Sequence, residues 1–207
     1  YQLQVIAVPS ITNFEMQLRF PSYLKKKPET LQGTGNAIIP EGTQVVWKIT
    51  TQATQKMNWK SAGTAVSFAK KGNQFILAKT ILQNTEYQIS SSNANAKQYE
   101  KLNYQLAVVK DQFPAIQVGH APDSLKLGIN YCVGQISDDY GLSRLQVVYY
   151  PKDKLANAKR GTIAIKPAAF DQFIFSFPSN LPVQSGIVYE YYFEVFDNDA
   201  IHHFKRT

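Results

Sequence analysis

Four carboxylates in two short segments are the side chains of this sequence best suited to holding a metal ion. Asp138 and Asp139 lie within residues 134–142, and Asp197 and Asp199 flank Asn198 after a strand-like stretch. Ca²⁺ takes six to eight oxygen ligands, which carboxylates and amides supply. The four carboxylates therefore define a candidate Ca²⁺ site, although their spacing matches no recognised calcium loop.

The same residues are also typical of turns, and the sequence leaves both interpretations open. Asp and Asn side chains cap their own backbone, and Gly141 permits a positive φ. Paired carboxylates also serve glycosidases, but Asp138 and Asp139 are neighbours that point apart on an extended backbone. No Ser/His/Asp or Cys/His signature is present. We therefore predict no enzymatic activity, and no cofactor other than this candidate Ca²⁺.

The positive charge of the chain is concentrated in its first half. The net charge is +7, and residues 1–111 contain 13 Lys and Arg against 6 Asp and Glu. The lysines are scattered and form no stripe with interleaved aromatic residues, so nucleic acid is not a predicted partner. The single cysteine, Cys132, excludes an intrachain disulfide. No apolar run approaches the ~20 residues that span a bilayer.

Short strands separated by turn signals run along the whole chain. In residues 14–20, apolar and polar side chains alternate, which is the pattern of a half-buried strand. About seven such segments occur in the first half, and no window carries a helical stripe. Weak alternation also predicts a strand at 1–8, whereas residues 25–35 and 201–207 are interpreted as loops. In the second half, one strand is predicted around Leu125, Leu127, Ile129 and Tyr131. Residues 188–196 predict another, with Tyr189, Tyr191, Phe193 and Val195 facing the core and Glu190 and Glu194 facing solvent. Short strands at regular spacing predict a β-sandwich or barrel.

A repeated pattern divides the sequence into two units. Tyr104-Gln-Leu repeats the opening Tyr1-Gln-Leu, and in both places a β-branched pair and a Pro follow. We predict an all-β fold of two tandem immunoglobulin-like β-sandwich domains, residues 10–110 and 111–207. In such a sandwich the loops after the second and sixth strands emerge at the same end, which is expected to bring the two acidic segments together. Residues 1–9 are expected to close an upstream repeat. The second domain is expected to lack its last strand, which would leave an exposed sheet edge.

Aromatic residues have predicted structural roles in both units. Tyr87, and either Tyr189 or Tyr191, are candidates for the corner in which a Tyr hydroxyl bonds back to the preceding turn. Trp47 and Trp59 could form a sugar-stacking platform, but each alternates with apolar neighbours, which favours a place in the core. The short boundary near residue 110 has no Gly or Ser run, so limited freedom between the domains is expected.

The sequence resembles membrane-anchored envelope proteins of Bacteroidetes-type bacteria that carry repeated immunoglobulin-like (fibronectin-III-like) domains. The resemblance is carried by residues 104–116, the turn at 39–43 and the Ser-Asp-Asp-Tyr-Gly-Leu motif at 137–142. It implies a periplasmic or cell-surface location, with anchoring through segments outside this sequence. It also implies a non-catalytic spacer or protein-interaction role, with a carbohydrate-binding module as the alternative. The implied partners are other domains of the same polypeptide, envelope proteins or glycan.

Overall fold

The computed structural model describes residues 1–2, 5–120 and 131–207. These residues divide into two compact units, Tyr1–Lys110 and Asp111–Thr207. Within the described residues the helical segments are two short 3-10 turns, Ser22–Leu24 and Leu155–Asn157. All other regular structure described is β-strand.

The described part of the first unit contains ten strands in two five-stranded sheets. They are β1 (Ser10–Arg19), β2 (Glu29–Gln32), β3 (Ala37–Pro40), β4 (Thr43–Gln52), β5 (Lys56–Ser61), β6 (Thr64–Ser67), β7 (Ala69–Lys71), β8 (Gln74–Ile81), β9 (Thr85–Ser92) and β10 (Lys101–Val109). The sheet orders are β2-β1-β4-β8-β7 and β3-β10-β9-β5-β6. The run β1-β4-β8-β7 follows the A-B-E-D order of immunoglobulin sandwiches, and β10-β9-β5 follows G-F-C.

Alternation along these strands builds the core between the two sheets. In β1, Phe14, Met16 and Leu18 are buried, while Glu15 and Gln17 between them are half-buried. The core cluster also draws on β4, β5, β8, β9 and β10, so both sheets contribute to it. Burial of one face of each sheet stabilises the pair of sheets as a sandwich.

Three aromatic side chains join the sheets at the centre of the first unit. Trp47 and Trp59 are buried, as predicted, and their ring centroids lie 6.3 Å apart. The Tyr87 hydroxyl accepts a hydrogen bond from Trp47 Nε1 (2.9 Å) and donates one to the Gly35 carbonyl (2.6 Å). A Cβ at position 35 would lie 2.5 Å from this hydroxyl, so the contact requires glycine.

The described part of the second unit has six strands in two three-stranded sheets. They are β11 (Ala115–His120), β12 (Tyr131–Ser137), β13 (Leu142–Pro151), β14 (Lys159–Ile163), β15 (Phe170–Ser176) and β16 (Tyr189–Asp197). The orders β11-β12-β15 and β14-β13-β16 correspond to A-B-E and C′-C-F. The predicted fold class, two tandem immunoglobulin-like β-sandwiches, is confirmed. After β16, the Lys205 carbonyl accepts from the Asp197 amide, and Thr207 exchanges backbone hydrogen bonds with Val195.

The corner prediction holds for one tyrosine and fails for another. The Tyr189 hydroxyl accepts a hydrogen bond from the Gln184 amide in the turn before its strand, at 3.1 Å. The Tyr87 hydroxyl bonds instead to Gly35, which precedes β3, so that prediction is wrong. The reason is that Trp47 supplies a buried donor opposite Tyr87, and the hydroxyl is held between the sheets.

The prediction of which β16 side chains face the core is confirmed only in part. Val195 is buried, but Tyr191 is 39% exposed, and Glu194, expected to face solvent, is buried. Glu194 lies on the outer face of its sheet beneath Arg160 and Arg206, and Gln146 hydrogen-bonds to it. Long side chains on this face cover the carboxylate, and strand alternation alone does not reveal them.

Three further strand predictions have different outcomes. β2 lies within a segment predicted to be a loop, where it pairs with β1. No strand is present among the described residues of the predicted segment 1–8. Most of the strand predicted around Leu125, Leu127 and Ile129 falls outside the described residues. Closure of an upstream repeat by residues 1–9 and the missing last strand of the second domain stay predictions.

Replacing Tyr87 with Phe is expected to destabilise the first unit by about 1–3 kcal/mol, because the Trp47 Nε1 and the Gly35 carbonyl both lose a buried partner. Urea unfolding followed by tryptophan fluorescence measures this, because both tryptophans lie in the first unit. Tyr104→Phe is the matched control, since Tyr104 packs against Tyr87 through its ring. Equal free energies of unfolding for the two variants would contradict the assigned role of the hydroxyl.

Candidate metal centre

Five carboxylates from three separate segments meet at one end of the second unit. Asp111 precedes β11, Asp138 and Asp139 lie between β12 and β13, and Asp197 and Asp199 lie at and after the end of β16. The groups Asp111–Asp138–Asp139 and Asp111–Asp197–Asp199 each offer ligand atoms within 4.8 Å of one another. The structure therefore brings the four predicted residues together and adds Asp111, which belongs to both groups.

The ammonium group of Lys205 lies inside this cluster. Its Nζ donates to Asp111 Oδ2 at 2.8 Å and to the Asp111 carbonyl at 2.9 Å, and lies 3.0 Å from Asp199 Oδ2. The Lys205 side chain is only 10% exposed and those of both carboxylates are nearly inaccessible. Lys205 is thus a buried counter-ion that neutralises part of the negative charge.

The loop between β12 and β13 positions Asp138 through a local turn. Asp138 Oδ2 accepts the amides of Tyr140 (3.0 Å) and Gly141 (2.7 Å). Gly141 has a φ of 129°, which disfavours a side chain. The predicted turn chemistry is therefore present here, and it uses one oxygen of the carboxylate.

A second set of local bonds shapes the segment after β16. Asp197 Oδ1 accepts the Asp199 amide at 3.1 Å, and Asp199 Oδ1 accepts the Ile201 amide at 2.8 Å. His202 Nδ1 lies 2.5 Å from Asp199 Oδ2. Asn198 Nδ2 donates to the Tyr140 carbonyl at 2.9 Å, which ties this segment to the β12–β13 loop.

The buried cluster shifts the acidity of its members in both directions. Burial raises the pKa of Asp111 to about 7. The hydrogen bond and charge of Lys205 lower this pKa by less than burial raises it, and the nearby Asp139 raises it further. Burial also raises the pKa of Asp138 and of Asp197. For Asp199 burial is outweighed by the hydrogen bonds from His202 and Lys205, which hold its pKa below the usual range. Raised pKa values at three of the carboxylates are expected where more carboxylates than cations are buried together.

Sequence reasoning missed Asp111 and Lys205 as members of the site. Asp111 lies in a short connection and Lys205 in a segment interpreted as a loop, and the two are 94 positions apart. The one available signal was the correspondence to the immunoglobulin fold. That fold brings the segment before the first strand to the same end as the loops after the second and sixth strands.

Comparisons with known proteins add no functional assignment. No family model matches the chain, and no curated protein matches it. Two similar solved structures are a cytokine receptor complex (9% identity, 73% of this chain and 85% of that chain covered, TM-score 0.25) and a chimeric titin Z1Z2 tandem carrying a peptide from fibronectin (10%, 79% and 88%, TM-score 0.31). At such scores they support no inference, and the fold assignment depends on strand order. Within the described residues, no helix is long and apolar enough to cross a membrane.

Replacing Lys205 with Met is expected to destabilise the second unit by about 3–5 kcal/mol, because Asp111 and Asp199 would remain buried without their counter-ion. Calorimetry of the whole chain should show one transition moving to lower temperature. The transition followed by tryptophan fluorescence, which reports on the first unit, should stay in place. Lys152→Met on the exposed turn after β13 is the control. An unchanged calorimetric profile for Lys205→Met would show that the ammonium group does not stabilise the second unit, which would contradict its role as a counter-ion.

The stability of the second unit is expected to fall as the pH rises from about 4 to about 7 in the presence of a chelator. Between its ordinary value and its raised pKa, Asp111 binds more protons when folded than when unfolded, so a rising pH favours unfolding. Asp199 acts in the opposite sense, and its contribution is lost as the pH falls below about 4. In thermal melts at a series of pH values, the stability of the Asp111→Asn variant should fall less steeply above pH 4 than that of the wild type. A slope as steep in Asp111→Asn as in the wild type would contradict this assignment.

Proposed function

We propose that the two sandwiches form a non-catalytic, extracytoplasmic spacer within a larger envelope protein. The observation that carries this proposal is the way the chain enters its second unit. The first unit ends at Lys110 and the second begins at Asp111. Asp111 is buried, and Lys205 holds both its carbonyl and its carboxylate.

This anchoring suits a structural element better than a flexible tether. A linker that only joins domains is usually rich in Gly and Ser and free of tertiary contacts. Here the first residue of the second unit is fixed to the last part of that unit by a buried ion pair. The extracytoplasmic location and the larger envelope protein are inferences from the sequence resemblance. If the tandem also has an interaction role, we propose that the exposed faces of its sheets bind protein partners.

The carbohydrate-binding alternative has less support. A sugar platform needs several exposed rings in one plane, and Trp47 and Trp59 are in the core. Phe177 and Tyr191 stack with an interplanar angle of 5°, but the neighbouring rings are not coplanar with them: Tyr189 is tilted by 42° to Phe177 and Phe193 by 81° to Tyr191. We therefore treat glycan binding as an outcome to be tested.

Exchange of the whole tandem within its parent protein tests the spacer proposal. An unrelated pair of immunoglobulin-like domains of equal length is expected to preserve the function of the parent protein and its surface exposure. A second exchange pair of half the length serves as the control and should impair function. Loss of function with the equal-length pair would show that specific surfaces of this chain are required. Binding of the isolated tandem to an array of glycans would favour the carbohydrate alternative.

Trypsin cleavage after Lys110 tests the anchoring itself. The wild-type chain should be cut slowly at this bond, because Asp111 on its far side is buried and bonded. Lys205→Met should accelerate this cleavage more than cleavage after Arg160, whose backbone is paired within β14 and which therefore reports unfolding of the second unit as a whole. Equal acceleration at both bonds would indicate general unfolding and would contradict a local anchor.

A further inference from the structure

Local turns account for only three of the carboxylate oxygens in the acidic cluster, one each from Asp138, Asp197 and Asp199. Asp138 Oδ1, Asp197 Oδ2 and Asp111 Oδ1 are buried and have no hydrogen-bond partner among the described residues, and the same holds for Asn198 Oδ1. Asp197 is fully buried and Asp111 nearly so. Buried polar groups are normally bonded, and an unpaired carboxylate oxygen is costly. These oxygens therefore point to a ligand that is not part of the chain.

The charge of the cluster indicates that this ligand is a cation. Of the five carboxylates, Lys205 contacts two, through Asp111 Oδ2 and Asp199 Oδ2, and His202 Nδ1 lies against the same Asp199 oxygen. The unpartnered Asp111 Oδ1 belongs to the first of these carboxylates but is not used by the lysine. The negative charge of the carboxylates that Lys205 does not contact is therefore available to a second cation.

The spacing of the carboxylates fits an ion bound through oxygen. Ligand oxygens of Ca²⁺ lie 2.3–2.6 Å from the ion, so two of them are at most roughly 5 Å apart. Within each of the two carboxylate groups the ligand atoms lie within 4.8 Å of one another, and Asp111 is common to the groups. Lys205 is already bonded in the group of Asp111, Asp197 and Asp199, so the group of Asp111, Asp138 and Asp139 is the one that an ion would complete.

We propose that the group of Asp111, Asp138 and Asp139 binds one Ca²⁺ ion, with the unpartnered oxygens of Asp111 and Asp138 as ligands. The unpartnered oxygen of Asn198 completes the ligand set, and Lys205 stays in the group of Asp111, Asp197 and Asp199. An irregular set of carboxylates and an amide suits Ca²⁺, whereas Mg²⁺ demands near-ideal octahedral geometry and keeps several waters. The site stands independently of the proposed spacer role, because it is assigned from the geometry of the second unit alone.

Calorimetry of the whole chain during a Ca²⁺ titration tests the site, after treatment with a chelator that is then removed. Binding to the folded state alone should raise the melting temperature of the second unit by about 5 °C or more at about 10 mM Ca²⁺. The tryptophan-reported transition of the first unit should not move, and it serves as an internal control. No rise would overturn the proposal and leave Lys205 as the cation of the cluster. An equal rise with Mg²⁺ would overturn the choice of calcium.

Variants locate the ion within the second unit. Asp138→Asn should abolish the rise, and Asp139→Asn, at an exposed ligand, should weaken binding about tenfold while keeping the fold. Asp153→Asn, an exposed Asp in another loop, should respond as the wild type does. A full Ca²⁺ response in both Asp138→Asn and Asp139→Asn would place the ion elsewhere and overturn the proposal. If Asp138→Asn fails to fold, the titration of Asp139→Asn by isothermal calorimetry decides the matter.

Discussion

The ion pair between Lys205 and the carboxylates of Asp111 and Asp199 is the interaction on which one end of the second sandwich depends. Burying several carboxylates together is unfavourable unless cations and hydrogen bonds compensate. Lys205 supplies one such charge and local amides supply bonds to Asp138, Asp197 and Asp199. The remaining negative charge is the basis of the proposed Ca²⁺ site.

The two units hold their sheets together by different means. In the first, an aromatic centre of Trp47, Trp59 and Tyr87 joins the sheets, and the Tyr87 hydroxyl accepts a hydrogen bond from the indole N–H of Trp47. In the second, aromatic contacts such as Phe173–Phe193 fill a smaller core, and a polar cluster ties three segments at its end. The strand order is shared, while the residues that join the elements are not.

Much of the fold could be predicted because its signal is local. Alternation of period two predicted the strand in residues 14–20, most of which lies in β1, and it placed Trp47 and Trp59 in the core. The correspondence of loops in an immunoglobulin-like sandwich brought Asp138 and Asp139 near Asp197 and Asp199. Asp111 and Lys205 could not be predicted, because their contact joins distant positions and leaves no periodic pattern. The burial of Glu194 could not be predicted for a similar reason, because the residues that cover it, Arg160 and Arg206, are distant from it or lie outside its strand.

A crystal structure of the whole chain grown with Ca²⁺ is the most direct test of the acidic cluster as a cation site. Density for one ion is expected at 2.3–2.6 Å from oxygens of Asp111, Asp138 and Asp139, with Lys205 still bonded to Asp111. A cluster occupied by Lys205 and water alone, in crystals saturated with Ca²⁺, would contradict the proposed site.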